Sequence, residues 1–189
     1  MLAKRPKCGQ NVGRRGRFLR GGHQGSRGWG WLRRIVRRPR EDDREVLAEA
    51  YFDPDGGLVG DDWLRRAPSP LAQVAVMNAR AVALLAHSRE RWPLAGDQLY
   101  VDLNLGPANL PPGSRFEIGS AVLEVTTKPH RGCKKFAARF GLDALRFVNS
   151  EVGYALNLRG INTRVVRAGT VRPGDLIRKI VTPDGAGPG

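Results

Sequence analysis

Apolar and polar residues alternate over Leu99-Tyr100-Val101-Asp102-Leu103-Asn104-Leu105, the period of a half-buried strand. Phe116-Glu117-Ile118 and Ala121-Val122-Leu123-Glu124-Val125 flank Gly119-Ser120 and predict a hairpin. Residues 73–77 form an apolar run after a glutamine and read as a buried strand. Residues 31–37 mix apolar and basic positions and predict a first strand, closed by Pro39. Residues 45–52 read as a second element, strand or short helix, ahead of the turn Asp53-Pro54-Asp55-Gly56-Gly57. Residues 161–166 and 176–181 predict two further strands around the turn Val171-Arg172-Pro173-Gly174-Asp175. Helical spacing is rarer. Residues 79–90 place Val82, Leu85 and Ala86 near one face, with Asn78 as cap. Two or three short helices are expected, at residues 134–140, 143–149 and 151–158. Many short strands, glycine turns and few helices predict a mainly β protein with short helices, a barrel and not a doubly wound sheet.

Composition changes this picture at the N-terminus. The net charge of +14 is unevenly placed: residues 1–40 hold 13 Lys and Arg and no acid, and the remainder holds 19 against 18 Asp and Glu. The body is therefore nearly neutral, and the high isoelectric point describes the tail. Residues 1–30 are rich in Arg and Gly and lack apolar periodicity, so a disordered tail is expected there. Three readings compete for it: an arm binding nucleic acid through phosphates with Trp29 and Trp31 stacking on bases, a targeting peptide, and translated sequence upstream of the true start. The third is favoured, because nothing in the tail joins the pattern of the body. Residues 31–182 are read as the barrel domain and 183–189 as a loose C-terminal tail. No secretory signal or membrane span is expected, and no membrane partner. The two cysteines, Cys8 and Cys133, form no zinc-like or CxxC spacing, so a reducing cytoplasm is expected.

The chemistry concentrates in Lys128-Pro129-His130-Arg131-Gly132-Cys133-Lys134-Lys135-Phe136. One cysteine stands between a strand-like and a helix-like run, beside His130, Arg131, Lys134 and Lys135. A sulfur at a helix start, near cations, favours the thiolate. Such a thiolate serves as nucleophile, sulfur carrier or soft-metal ligand. The plain alternative is a small buried hydrophobe. Local charge and position favour function.

Further residues extend the pattern: Leu58-Val59-Gly60-Asp61 early, Ala108-Asn109-Leu110 followed by Gly113, and Arg159-Gly160-Ile161-Asn162-Thr163-Arg164-Val165-Val166 with Gly169 and Gly174-Asp175 late. In this order, with a single cysteine between them, they resemble the MOSC domain. That module ends molybdenum cofactor sulfurases and also occurs as small stand-alone bacterial proteins. The resemblance spans roughly residues 31–181. It implies a closed or near-closed MOSC-type β-barrel with a cleft near Cys133. It also implies the handling of molybdenum cofactor or activated sulfur, with Cys133 as persulfide carrier or molybdenum ligand. Some members reduce N-hydroxylated compounds. Two departures stand out. Pro107-Ala108-Asn109-Leu110 replaces the Gly-Glu-Asn-Leu of many members, and Asp62-Trp63 follows Gly60-Asp61 where many have a nearby histidine. No pyridoxal-phosphate-binding desulfurase domain is present, so no pyridoxal phosphate is expected on this chain. Sulfur would come from a partner such as a cysteine desulfurase, and electrons from a redox partner.

Molybdenum cofactor, or molybdopterin, needs a protein thiolate and positive charge for its phosphate. Cys133 supplies the first; Arg131, Lys134 and Lys135 are candidates for the second, with an exposed helix face as the alternative for the lysines. His130 is a candidate proton donor or only ends the strand. Arg159 and Arg164 are candidate pterin or phosphate contacts, although Arg164 also suits a solvent-facing strand position. Asn109 suits either a pterin edge or a turn. Asp61 reads as a loop anchor ahead of a catalytic acid. The rival classes are a metal-free thiol or sulfur-handling protein, a nucleic-acid binder acting through residues 1–30, and a scaffold barrel with Cys133 buried.

Overall fold

The computed structural model describes residues 28–66 and 68–180. The predicted tails, residues 1–30 for the most part and 183–189, lie outside the described residues.

Among the described residues, eleven strands and four α-helices follow in chain order. β1 is Trp29–Arg37, β2 Glu45–Leu47, β3 Ala50–Asp53, β4 Gly57–Leu58 and β5 Val74–Asn78. Helix α1, Ala79–Ala86, and a 3-10 segment, Arg89–Ala95, lead to β6, Leu99–Asp102. β7 (Arg115–Ile118) and β8 (Ala121–Val125) form the predicted hairpin around Gly119 and Ser120. α2 (Lys134–Phe140), α3 (Leu142–Val148) and α4 (Glu151–Ala155) precede β9 (Ile161–Arg167), β10 (Gly169–Val171) and β11 (Leu176–Ile180).

The pairing order β11-β7-β8-β9-β5-β6-β1 closes through β11 against β1, giving a seven-stranded barrel. Closure leaves no open sheet edge in that circuit, which is how a small β protein avoids edge pairing with other chains. β2 extends from β1, and β10, β3 and β4 form a separate small sheet. The β5–β6 pair is parallel, and α1 with its 3-10 extension supplies the crossover that parallel strands need.

Two apolar clusters explain the sequence pattern. Inside the barrel lie Leu32, Ile35, Phe52, Val76, Leu99, Val101, Phe116, Leu123 and Ile177. Outside its wall, Val36, Met77 and Tyr100 pack against Val82, Leu85, Phe136 and Val148 of the helices. β1, β5 and β6 are therefore covered on both faces, and β5 reads as a continuous apolar run for that reason. The register of β1 against β6 shifts between Leu32 and Arg34, which lets Leu32 and Ile35, three residues apart, both face the interior cluster, while Val36 next to Ile35 faces the helices by ordinary alternation.

Some elements differ from the sequence expectation. Residues 45–52 form two strands separated by a bend. Helix α1 ends at Ala86, four residues early, with His87 at φ 62°. The polar run His87-Ser88-Arg89-Glu90-Arg91 has no buried side chain to hold another turn. β6 stops at Asp102, although Leu103 and Leu105 stay buried beyond it. β10 lacks a hydrophobic alternation long enough to be read.

Candidate functional site

The loop from β8 to α2 carries the cysteine and is fixed at several points. Thr126 donates through Oγ1 to Leu71 O at 2.6 Å, and Asn162 Nδ2 donates to Lys128 O at 3.1 Å. Asn149, at the end of α3, grips Gly132 by accepting from its N–H at 2.9 Å and donating to its carbonyl at 3.0 Å. A Cβ on Gly132 would lie 2.7 Å from Leu145 Cδ1 and 2.9 Å from Val148 Cγ2, so any larger residue would make those side chains shift. Cys133 follows at the N-cap of α2, in extended conformation, and its side chain is exposed. Buried Phe136, one turn on, holds α2 to the wall.

Cys133 lines a cavity of about 310 Å³. Six cationic side chains line it too: Arg38, Arg44, Arg66, Lys135, Arg139 and Arg159. Asp42 and Asp62 are its acidic residues among those described, and Glu41, Asp61 and Asp97 pair with further lining cations from just outside it, so much of the positive charge is compensated. Trp63, half-buried, and Phe136 add aromatic surface.

The cations are held in place by the protein itself. Arg38 donates from Nε and Nη2 to the two oxygens of Asp61, at 3.0 and 2.8 Å, and from Nη1 to Gly96 O at 2.9 Å. Asp61 also accepts from the Arg38 and Trp63 backbone N–H groups at 3.0 and 3.1 Å, so it anchors the loop after β4. Burial works against the Arg38 charge, yet the hydrogen bonds and charge of Asp61 outweigh it and raise the guanidinium above its usual value. Lys135 pairs with Glu41, Arg139 with Asp42 and Arg66 with Asp62. Arg44 has no carboxylate partner among these pairs. Burial and then the charges of Arg139 and Arg38 lower its pKa, and its buried Nε has no hydrogen-bond partner among the described residues.

Beneath the cavity lies a buried charged group. Asp97 is fully buried and accepts from Arg159 Nη1 at 2.7 Å. Arg159 Nη2 donates to Ala95 O at 2.9 Å, and the guanidinium lies 4.9 Å from the Phe136 ring centroid. His130 Nδ1 sits 3.4 Å from Asp97 Oδ1. Desolvation raises the Asp97 carboxyl, with Arg159 pulling it back. Desolvation, then the charges of Arg159 and Arg38, pushes His130 well below its usual range, so the imidazole is neutral at neutral pH. Asp97 Oδ1, His130 Nδ1 and Arg159 Nε are buried with no hydrogen-bond partner among the described residues.

Of the residues expected from sequence, Cys133, His130, Lys135 and Arg159 share this cavity. Lys134 is exposed beside it. Arg131 turns away, its guanidinium 3.6 Å from the centroid of Tyr154, and lines a smaller cavity of about 80 Å³ that also touches His130 and Arg159. Asn109 lies outside the main cavity and is buried, donating from Nδ2 to Asn104 O at 2.7 Å. Arg164 also lies outside, paired with Glu124 at 2.6 Å on the outer face of β9. Arg38, Arg44, Asp62, Asp97 and Arg139 escaped the sequence reading as site residues. Arg38 is hidden in the basic run Arg37-Arg38-Pro39-Arg40, which continues the charge of the tail. Asp97 has no local signal at all. Asp62, next to Gly60-Asp61, was the one that stood in a recognised motif.

The sequence profile of the MOSC domain matches residues 66–178, more than half of the chain. The chain belongs to the MOSC family. Membership associates it with molybdenum cofactor binding or sulfur transfer. The cavity wall made by residues 38–63 precedes the matched segment. Among solved structures, YuaD from Bacillus subtilis is 18% identical at a TM-score of 0.53, over 79% of this chain and 94% of that one. YiiM from Escherichia coli is 18% identical at a TM-score of 0.55, over 82% of this chain and 72% of that one. YiiM from Geobacillus stearothermophilus is 14% identical at 0.51, over 80% and 73%. At these identities the likeness is one of fold. No curated protein sequence matches the chain. Among the described residues of this MOSC protein, no helix is long and apolar enough to cross a membrane.

Proposed function

We propose that this MOSC protein binds molybdenum cofactor in the cavity beside Cys133, with the Cys133 thiolate as the protein's ligand to the metal. The observation that carries the reading is an exposed thiol sharing a cavity of about 310 Å³ with six cationic side chains. The donor set fits such a group. Among the described residues no cluster of three or more His, Cys, Asp and Glu is placed to hold a bare metal ion. A metal here therefore suits a form that brings its own sulfur ligands and takes one more from the protein. Arg44, Arg139 and Arg159 would hold the anionic phosphate, because guanidinium groups bind phosphate oxygens through paired N–H donors. The unpartnered Nε atoms of Arg44 and Arg159 supply donors for that contact. When bound, the cofactor supplies two-electron redox chemistry at molybdenum, which suits the reduction of N-hydroxylated compounds. His130, neutral beside the cavity, is placed to hold or pass a proton there. Electrons would come from a redox partner in the cytoplasm.

Sulfur carriage is the second reading, favoured by the exposure of Cys133. The Cys133 thiolate would attack the outer sulfur of a persulfide on a cysteine desulfurase. The S–S bond of the donor breaks, its thiolate leaves, and Cys133 holds the sulfane sulfur. Exposure also sets the site apart from a scaffold barrel with a buried cysteine.

Alkylation and intact-mass measurement test both readings. Free Cys133 is expected to react readily with iodoacetamide, and loading with the cofactor is expected to slow that reaction at least about tenfold, since a ligated thiolate is not free to attack. Mass added as one sulfur atom, removed by cyanide and absent from Cys133→Ala, would favour carriage. Unchanged alkylation after loading, with no added sulfur, would contradict both.

A further inference from the structure

Asp62 is 4% exposed, and its Oδ2 is held by Arg66. Its Oδ1 is buried and has no hydrogen-bond partner among the described residues. Although it precedes the 3-10 turn Trp63–Arg65, its side chain makes no capping bond there. Its backbone is fixed, with the N–H donating to Arg38 O at 2.8 Å and the carbonyl accepting from Arg65 N at 2.9 Å. The residue lines the same cavity as Cys133 and Arg159.

A buried carboxylate oxygen without a donor is costly, and native proteins supply one from protein, water or ligand. The cavity's cations serve the anionic part of a ligand. Asp62 Oδ1 asks for the opposite, an N–H donor that approaches the lining from within. Trp63, the next residue, contributes a half-buried indole to that lining. A planar heteroaromatic ring with an N–H-rich edge satisfies both features, stacking on the indole and donating to the carboxylate.

We propose that Asp62 and Trp63 form the subsite for the 2-amino-4-oxopyrimidine edge of a pterin, with Asp62 Oδ1 accepting from the 2-amino group. The assignment rests on the cofactor reading above and gives the pterin end to this side of the cavity. It also relieves Asn109 of that task, since Asn109 lies outside the cavity and spends its amide on Asn104. Lumazine carries a 2-oxo group where pterin carries the 2-amino group. In lumazine an acceptor therefore faces Asp62 and is disfavoured. An asparagine at position 62 presents an N–H to that oxygen and reverses the sign.

Binding is measured by pterin fluorescence and calorimetry on the full chain, with pterin-6-carboxylate and lumazine-6-carboxylate as metal-free probes. The wild type is expected to prefer the pterin at least about tenfold, the worth of one hydrogen bond to a charged group. Asp62→Asn is expected to lower that ratio at least about tenfold, towards lumazine. Equal affinities in the wild type, or no binding of either probe, overturn the assignment without any variant. A ratio unchanged in folded Asp62→Asn also overturns it. Guanosine monophosphate bears the same edge, and its binding more tightly than pterin-6-carboxylate would overturn the pterin assignment. The outcome is separable from that of the cofactor reading. Molybdenum bound through Cys133 with a flat pterin-to-lumazine ratio leaves the cofactor reading and removes the Asp62 role. A pterin preference without molybdenum does the reverse.

Discussion

At the scale of single residues, the site is defined by polar atoms buried beyond what packing needs. Arg159 is committed to Asp97 and Ala95 by two of its nitrogens, while the third, Nε, has no partner among the described residues. Removing either member of such a pair would strand the other's charge in the interior, which is why the two belong together. His130 carries a pH dependence of definite sign. Its imidazole titrates well below 6.5 in the folded protein, through burial and then the charges of Arg159 and Arg38. In the unfolded chain it titrates near about 6.5. The unfolded chain therefore binds the proton first as pH falls. His130 contributes stability above about pH 6.5 that is lost as pH drops from there through the lower folded value. Asp97, raised by burial, contributes with the opposite sign in the acid range, so the comparison must be a difference between proteins. Urea midpoints of wild type and His130→Asn should diverge from each other as pH is lowered below about 6.5, with a slope approaching about 1.4 kcal/mol per pH unit. Parallel curves would show that His130 is charged in the folded state.

At the scale of elements, the strands were legible wherever one face is buried and the other wet. The β7–β8 hairpin and β9 follow from alternation and turn residues alone. α1 was legible in its start, since Asn78 accepts from the N–H groups of Arg80 and Ala81 at 2.8 and 3.3 Å, but its end depends on packing that periodicity does not record. Gly160 was visible only as part of a motif. Its φ of +109° and its position explain it: a Cβ would lie 2.3 Å from Val76 O and 3.3 Å from His130 Nδ1. The chain therefore enters β9 pressed against β5 and beneath the His130 loop. Gly160→Ala is expected to cost at least about 1–3 kcal/mol from backbone strain, with the steric overlap adding to it. Chemical denaturation measures the loss, and wild-type stability in that variant would contradict the close approach. The candidate site was half legible for the same reason. Cys133, His130 and Lys135 sit in one segment whose composition is unusual. Arg38, Arg44, Asp62 and Arg139 come from distant stretches that only the fold brings to one cavity, with Asp97 buried beneath it against Arg159.

At the scale of the whole molecule, barrel closure and charge placement answer different questions. Closing β11 on β1 brings the start of the described chain beside its end, next to the wall of β5, β6 and β1 that carries the helices. The helical layer and the loop after β4 border the cavity together, so thiol, cations and buried carboxylate converge from distant sequence positions. The charge of the body is nearly balanced in sequence, at 19 basic against 18 acidic residues over positions 41–189. The cavity nonetheless gathers six cations, five of them held by carboxylates, a grouping that folding builds and that net charge does not reveal. The central claim is that this cation-lined cavity holds a molybdenum-bearing pterin through Cys133. The most direct measurement is the molybdenum and pterin content of protein purified from a cofactor-making host, beside Cys133→Ala. Near-stoichiometric metal and pterin in the wild type, with metal lost from folded Cys133→Ala, is the result expected. Wild-type protein free of both, or a variant that keeps its full molybdenum, would contradict the claim.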